Sequence, residues 1–218
     1  MLSVRFALLS AVVVATSGLA ASGASFYGPT SYLSTADSPF GGYTGWVVDN
    51  LEDGSLMAGI STSAGAVYGP ASNADSVDVD DGAIDGHGTA GHSFFNSNGG
   101  TGIRLTFDAA ILGALPKSAG LVWTDGSGTI TFEAFDENNV SLGTLQGNHA
   151  DGSFGGQTAE DRFYGASNEG GIKSIFIKNT GGGIEVDHIQ FAFSTGVPAP
   201  SAAGVLAMGA FVGFRRRR

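Results

Sequence analysis

Five aspartates, Asp75, Asp78, Asp80, Asp81 and Asp85, fall within eleven residues of this sequence. Carboxylates this close repel one another unless water or a cation lies between them. Calcium suits such a cluster, because it takes roughly six to eight oxygen ligands from carboxylates and backbone carbonyls. The spacing is not that of an EF-hand. Counted from Asp78, position 5 is Gly82 and position 12 is Thr89, where that loop needs an oxygen ligand and a bidentate glutamate. Two readings stand. Either Asp78, Asp80, Asp81 and Asp85 hold a calcium ion in an irregular loop, or the segment is a solvated acidic turn.

A second group of acids lies in residues 184–193. Glu185 and Asp187 share a parity with Ile189, Phe191 and Phe193. In a regular strand that parity is one face, so two carboxyls continue a face that is apolar further along. Asp187 then reaches the rim of the core, where an unpaired charge is costly. It needs a partner: Arg162, a calcium ion or backbone amides. An ion-pair network through Glu160, Asp161 and Arg162 is the favoured, structural reading.

Catalytic constellations are weak. The segment from His87 to His92 has no helix to bring its imidazoles together, so it is not a zincin pattern. Four histidines occur, His87, His92, His149 and His188, and loop histidines among glycines are expected in solvent. No Gly-x-Ser-x-Gly elbow occurs, and residues 125–128, Asp-Gly-Ser-Gly, read as a hairpin turn. Glu133 and Asp136 could be offered as a glycosidase pair. Their parities differ, which sets them on opposite faces of a regular strand. Trp123 and Tyr164 read as core aromatics. Trp46, beside Tyr43, is the expected exposed platform for a sugar ring.

These groups need a scaffold, and composition points to one. The chain has 218 residues, 36 of them glycine, and no cysteine. Disulfides, thiol nucleophiles and thiolate metal sites are therefore excluded. All twenty acids lie between Asp37 and Asp187, whereas Arg5 and the four arginines from Arg215 to Arg218 are half of the ten cations. The intervening domain so carries a net charge of −15. Such a surface repels nucleic acid and anionic lipid. It suits cations, neutral glycans or simple solubility.

Between residues 25 and 194 no helical stripe of any length occurs. Short alternating runs do, as in Ile103–Phe107, where Ile103, Leu105 and Phe107 share a face. Ile130, Phe132 and Ala134 repeat the pattern. Residues 136–139, Asp-Glu-Asn-Asn, are turn chemistry. Residues 172–179 and 184–193 flank Thr180-Gly181-Gly182-Gly183 and read as a hairpin. Residues 109–115 have room for one helical turn. Seven to nine short strands predict an all-β fold, a two-sheet antiparallel β-sandwich of jelly-roll type.

The ends are different. Residues 1–24 carry Arg5, a short apolar run and small residues, the pattern of a cleaved secretory signal with its cut between Ala20 and Ser25. About ten apolar residues are too few to span a bilayer. Residues 195–218 form a tail: Val197, Pro198, Ala199 and Pro200, an uncharged apolar stretch to Phe214, then Arg215, Arg216, Arg217 and Arg218. A helix over this tail is just long enough to cross a membrane, with the arginines on the cytoplasmic side.

This tail resembles the PEP-CTERM sorting signal of Gram-negative bacteria, with Ala199 where the name-giving motif has glutamate. The resemblance covers about a tenth of the chain. It implies signal peptidase and exosortase as processing partners, a transient stay in the inner membrane, and final residence at the cell surface or in extracellular polysaccharide. The middle domain is loosely similar to carbohydrate-binding jelly rolls, which place one acid at the first sandwich strand and one in the last. Glu52 and Asp187 occupy those places, which adds both to the candidate calcium ligands. Taken together, the expectation is an exported, non-enzymatic surface protein with glycan-binding capacity. The alternatives are a secreted carbohydrate-active hydrolase and a calcium-stabilised structural module.

Overall fold

The structure, a computed structural model, describes residues 23–79, 91–153 and 160–196. The predicted signal at 1–24 falls almost wholly outside them. So do Asp80, Asp81, Asp85 and His87, and the whole of Val197 to Arg218. Among the described residues no helix is long and apolar enough to cross a membrane.

The regular structure of the described chain is almost all antiparallel β-strand, with very little helix. Its strands are β1 (Ser25–Ser31), β2 (Val47–Asp49), β3 (Ile60–Thr62), β4 (Ala66–Tyr68), β5 (Ser93–Asn96), β6 (Ile103–Phe107), β7 (Ser118–Phe135), β8 (Ser141–Gly147), β9 (Arg162–Ser167) and β10 (Ser174–Ala192). One helical turn, α1 (Ala109–Leu112), follows β6 as expected. The Asp108 carboxylate accepts from the Ala110 amide and caps its start, and Gly113 at φ +88° closes it. The turn from β7 to β8 also falls where expected. The Asp136 carboxylate accepts from the amides of Asn138 and Val140 at 2.9 and 2.8 Å.

Strands β7 and β10 organise the rest. They are 18 and 19 residues long and pair with each other from Ser118↔Ala192 to Phe135↔Ser174. Each has a glycine-rich bend near its middle. The early half of β7 pairs with β9, and β9 with β1. The late half of β7 pairs with β8. The early half of β10 pairs with β6, and β6 with β3. The late half of β10 takes β5 and then β2, and β4 lies beyond β5.

Two expectations are corrected here. Residues 180–183 are not a hairpin turn, and neither are residues 125–128. Both lie inside continuous strands and face each other across the β7–β10 ladder, with register shifts at the bends. Glycine supplies the positive φ that a bend needs as readily as the one that a turn needs. Asn179 ties the two bends together. Its amide donates to the carbonyl oxygens of Ser127 (3.1 Å), Gly183 (2.9 Å) and Gly181. The strands therefore form one ten-stranded sheet rather than two separate ones.

That sheet folds over on itself at the bends and encloses one core. Ile103, Leu105 and Phe107 of β6 meet Phe132 of β7, Tyr164 of β9 and Phe191 of β10 in a single buried cluster. Phe132 and Tyr164, from opposite halves, stack with ring centres 6.1 Å apart. Trp123 is fully buried in the same cluster, the core role expected of it.

The two halves differ on their outer faces. Over the early half of β7 and over β9, a second layer packs Tyr32, Phe40 and Val77 against Val122 and Phe163. Both faces are then buried, which explains the unbroken burial from Ser118 to Gly126. Over the late half of β7, burial alternates residue by residue, and among the described residues no second buried cluster covers the outer face.

Candidate functional site

Beside the bend, the edge pair β4–β5 and the β7–β10 ladder enclose a pocket of about 290 Å³. Tyr68, Asn73 and Phe95 line one side, and Asp125, Ser127 and Glu185 the other. Tyr68 and Phe95 stand with ring centres 5.8 Å apart, and the Tyr68 hydroxyl donates to Asn73 Oδ1 at 2.9 Å. Asp125 and Glu185 are direct cross-strand partners. Such partners hold their Cβ atoms about 4.5–5.5 Å apart. Thr124 is an extra residue in β7 between the Trp123 and Asp125 pairings. This bulge turns Asp125 from the core towards the pocket.

Both carboxyls are nearly buried, with Asp125 8% and Glu185 3% exposed. Burial pushes Glu185 up to about 7, against the pull of hydrogen bonds from the Ser93 hydroxyl and the Asp75 amide. Burial likewise pushes Asp125 up to about 6. Behind Asp125 stands Glu160, raised to about 8 by its own burial, although it accepts from the Asp151 amide at 2.7 Å. Burial therefore favours the protonated form of each of these carboxyls more than water does. The pocket can donate to and accept from hydroxyl groups beside an aromatic wall. It can also pass a proton.

Glu185 and Asp187 do not share a face with Ile189 and Phe191, contrary to the parity expectation. Ile184, Val186, Ile189 and Phe191 all enter the core. The parity switches between them, because β10 has an irregularity between Asp187 and Gln190, with His188 at φ +42°. Asp187 points instead under the second layer. Backbone amides are its partners: Val77 N–H at 2.8 Å and His188 N–H at 2.6 Å. His188 is buried, with its Nε2 3.2 Å from Asp78 and its Nδ1 3.1 Å from the Tyr32 hydroxyl. Burial opposes charge on His188, but the bond to Asp78 and the fields of Asp187, Asp78 and Glu52 outweigh it and raise its pKa. The same bond to His188 lowers Asp78. This cluster clasps the 75–79 segment onto the sheet.

The other candidates are placed as follows. Glu52 accepts from the Ser76 hydroxyl and the His92 amide, both at 2.8 Å, and pairs with His92 Nδ1 at 3.3 Å. His92 is thus held by a carboxylate rather than left in solvent. Glu52, Asp78 and Asp187 each have protein partners, and among the described residues no three potential ligands gather as a metal site. Trp46 is half-buried rather than exposed, and its indole N–H donates to Gln190 at 3.2 Å. Tyr43 lies beside it in the second layer, against Phe40. Glu133 sits on the open face of β7, while Asp136 is spent in the turn. The pocket pair was missed at the sequence level. Asp125 sits among turn-forming residues, and its partner Glu185 is 60 positions away. Comparison with protein-family models, curated proteins and solved structures finds no match.

Proposed function

We propose that this is an exported, non-enzymatic protein of the cell surface or extracellular matrix, sorted by an exosortase-type system, whose β-domain binds glycans. The observation that carries the binding part is the pocket. An aromatic wall at Tyr68 and Phe95 faces a carboxyl pair at Asp125 and Glu185. Sugar rings offer C–H faces to aromatics and hydroxyls to carboxyls. The folded sheet, with one core between its halves, fits a sandwich of jelly-roll type. The signal and tail motifs support export, transient membrane anchoring and processing. Calcium at the aspartates of residues 75–85 is a further part of the proposal, and thermal melting with and without chelator tests it.

A panel of neutral oligosaccharides presented to the purified protein tests the binding claim. Binding that Tyr68→Ala and Glu185→Gln each weaken about tenfold, with unchanged melting, supports it. Absence of binding across the panel removes it. A second reading is favoured by the direct opposition of Asp125 and Glu185, which suits a carbohydrate hydrolase. Release of reducing ends that both Asp125→Asn and Glu185→Gln abolish would establish that reading in place of the non-enzymatic one.

A further inference from the structure

The open outer face has a composition unlike the rest of the domain. It spans β3, β6, β10, β7 and β8 in that spatial order. At its centre the Arg104 guanidinium lies 4.0 Å over the Phe135 ring and 5.3 Å from the Phe176 ring. Its Nη1 donates to the Ser174 hydroxyl at 2.9 Å. Phe176 pairs directly with Arg104 on one side and with Glu133 on the other. Lys178 is two residues along β10 on the same face. Neither phenyl ring joins a buried cluster.

Charge makes this face unusual. The domain has fifteen more acids than cations, yet neither Arg104 nor Lys178 forms an ion pair among the described residues. Glu133 is the acid on the face itself, and Asp108, Asp136 and Glu137 lie beyond the strand ends. A guanidinium stacked on an aromatic ring and pinned by a hydroxyl is pre-ordered, and it presents a fork that matches a carboxylate. The surrounding positions are Thr106, Thr131, Thr144 and Gln146, uncharged side chains that suit a hydroxyl-rich partner. An acidic peptide would meet the same two cations but brings few hydroxyls to the threonines and Gln146, and duplex nucleic acid carries its charge more densely than one carboxylate per sugar.

We propose that this face is a docking surface for a carboxylate-bearing polysaccharide, with Arg104 and Lys178 taking uronate groups and Phe176 and Phe135 stacking against sugar rings. The surface is separate from the pocket at Tyr68, so the two binding claims fail independently.

The test uses the purified protein with polygalacturonate, and with the same polymer fully methyl-esterified, in about 0.15 M salt, where surface repulsion is screened beyond roughly 8 Å. Binding of the acid form, at least tenfold weaker for the ester, is expected. Arg104→Ala with Lys178→Ala should reduce it by a further tenfold or more. Arg104→Lys, which keeps the charge and loses the fork, should fall between. Equal binding of acid and ester overturns the proposal. So does equal binding of poly-glutamate, or a double variant that binds as the parent does while melting alike.

Discussion

The side-chain amide of Asn179 on β10 donates to the backbone oxygen of Ser127 on β7, 3.1 Å away, and so joins the two bends that fold the sheet. Two further carbonyls, of Gly181 and Gly183, take the same amide. Asn179 is fully buried, so truncation empties a buried site and leaves three half-buried carbonyls without this donor. Asn179→Ala should lose about 1–3 kcal/mol. For a domain of this size that is a melting drop of roughly 3–10 °C. Differential scanning calorimetry reads it directly, and an unchanged midpoint would show that the bends hold without the amide.

Gly120 marks the place where β7 is squeezed between two layers. A Cβ there would meet the Phe163 ring at 2.5 Å and the Tyr164 carbonyl oxygen at 2.6 Å. The ring can shift; the backbone oxygen is fixed by the ladder to β9. Gly120→Ala should therefore destabilise by about 1–3 kcal/mol through overpacking. The urea midpoint should fall with no change in slope.

Stability should fall as pH rises through neutrality. Asp125, Glu160, Glu185 and Asp187 are raised to about 6, 8, 7 and 7 from ordinary values of 3.8 or 4.5, chiefly by burial. Their folded values exceed their unfolded ones, so the native state keeps protons that the unfolded chain has released. Their contribution is full below about pH 4 and is lost as pH climbs through 6 to 8. His188, also raised, acts in the same sense, with its share present below 6.5 and lost above its folded value. His149 opposes them. Burial and then Arg162 lower it to about 4, so its share is present above 6.5 and lost as pH falls through 4. Four carboxyls outweigh one histidine. Melting should be several degrees higher at pH 5 than at pH 8, and a flat profile would contradict these shifts.

Asp187 should hold the 75–79 segment through hydrogen bonds to backbone. Asp187→Ala removes the acceptor of the Val77 amide. Hydrogen exchange at Val77 should then quicken, with a loss of roughly 1–3 kcal/mol. The loss should be the same with calcium or with chelator. A larger loss in calcium would instead assign the carboxylate to a cation.

Much of the fold is legible along the chain because much of it is local. The Ile103–Phe107 alternation, the Asp108 cap with Gly113, and the turn at Asp136 each need only near neighbours, and each forms where the residues direct. The ladder of β7 against β10 is not local. Thr180-Gly181-Gly182-Gly183 has the composition of a turn, and nothing within the segment says that the strand continues through it.

The sequence by itself determined an acidic, cysteine-free, all-β chain with its aromatic and aliphatic residues set to alternate. Tertiary structure decided which carboxyls meet. Parity along a strand holds until a bulge adds a residue, and a bulge exists only in relation to the partner strand. One at Thr124 sends Asp125 towards Glu185, and one at His188 sends Asp187 under the second layer rather than beside Ile189. The pocket and the clasp both arise from those two offsets, which depend on pairings about 60 to 70 residues apart in the chain.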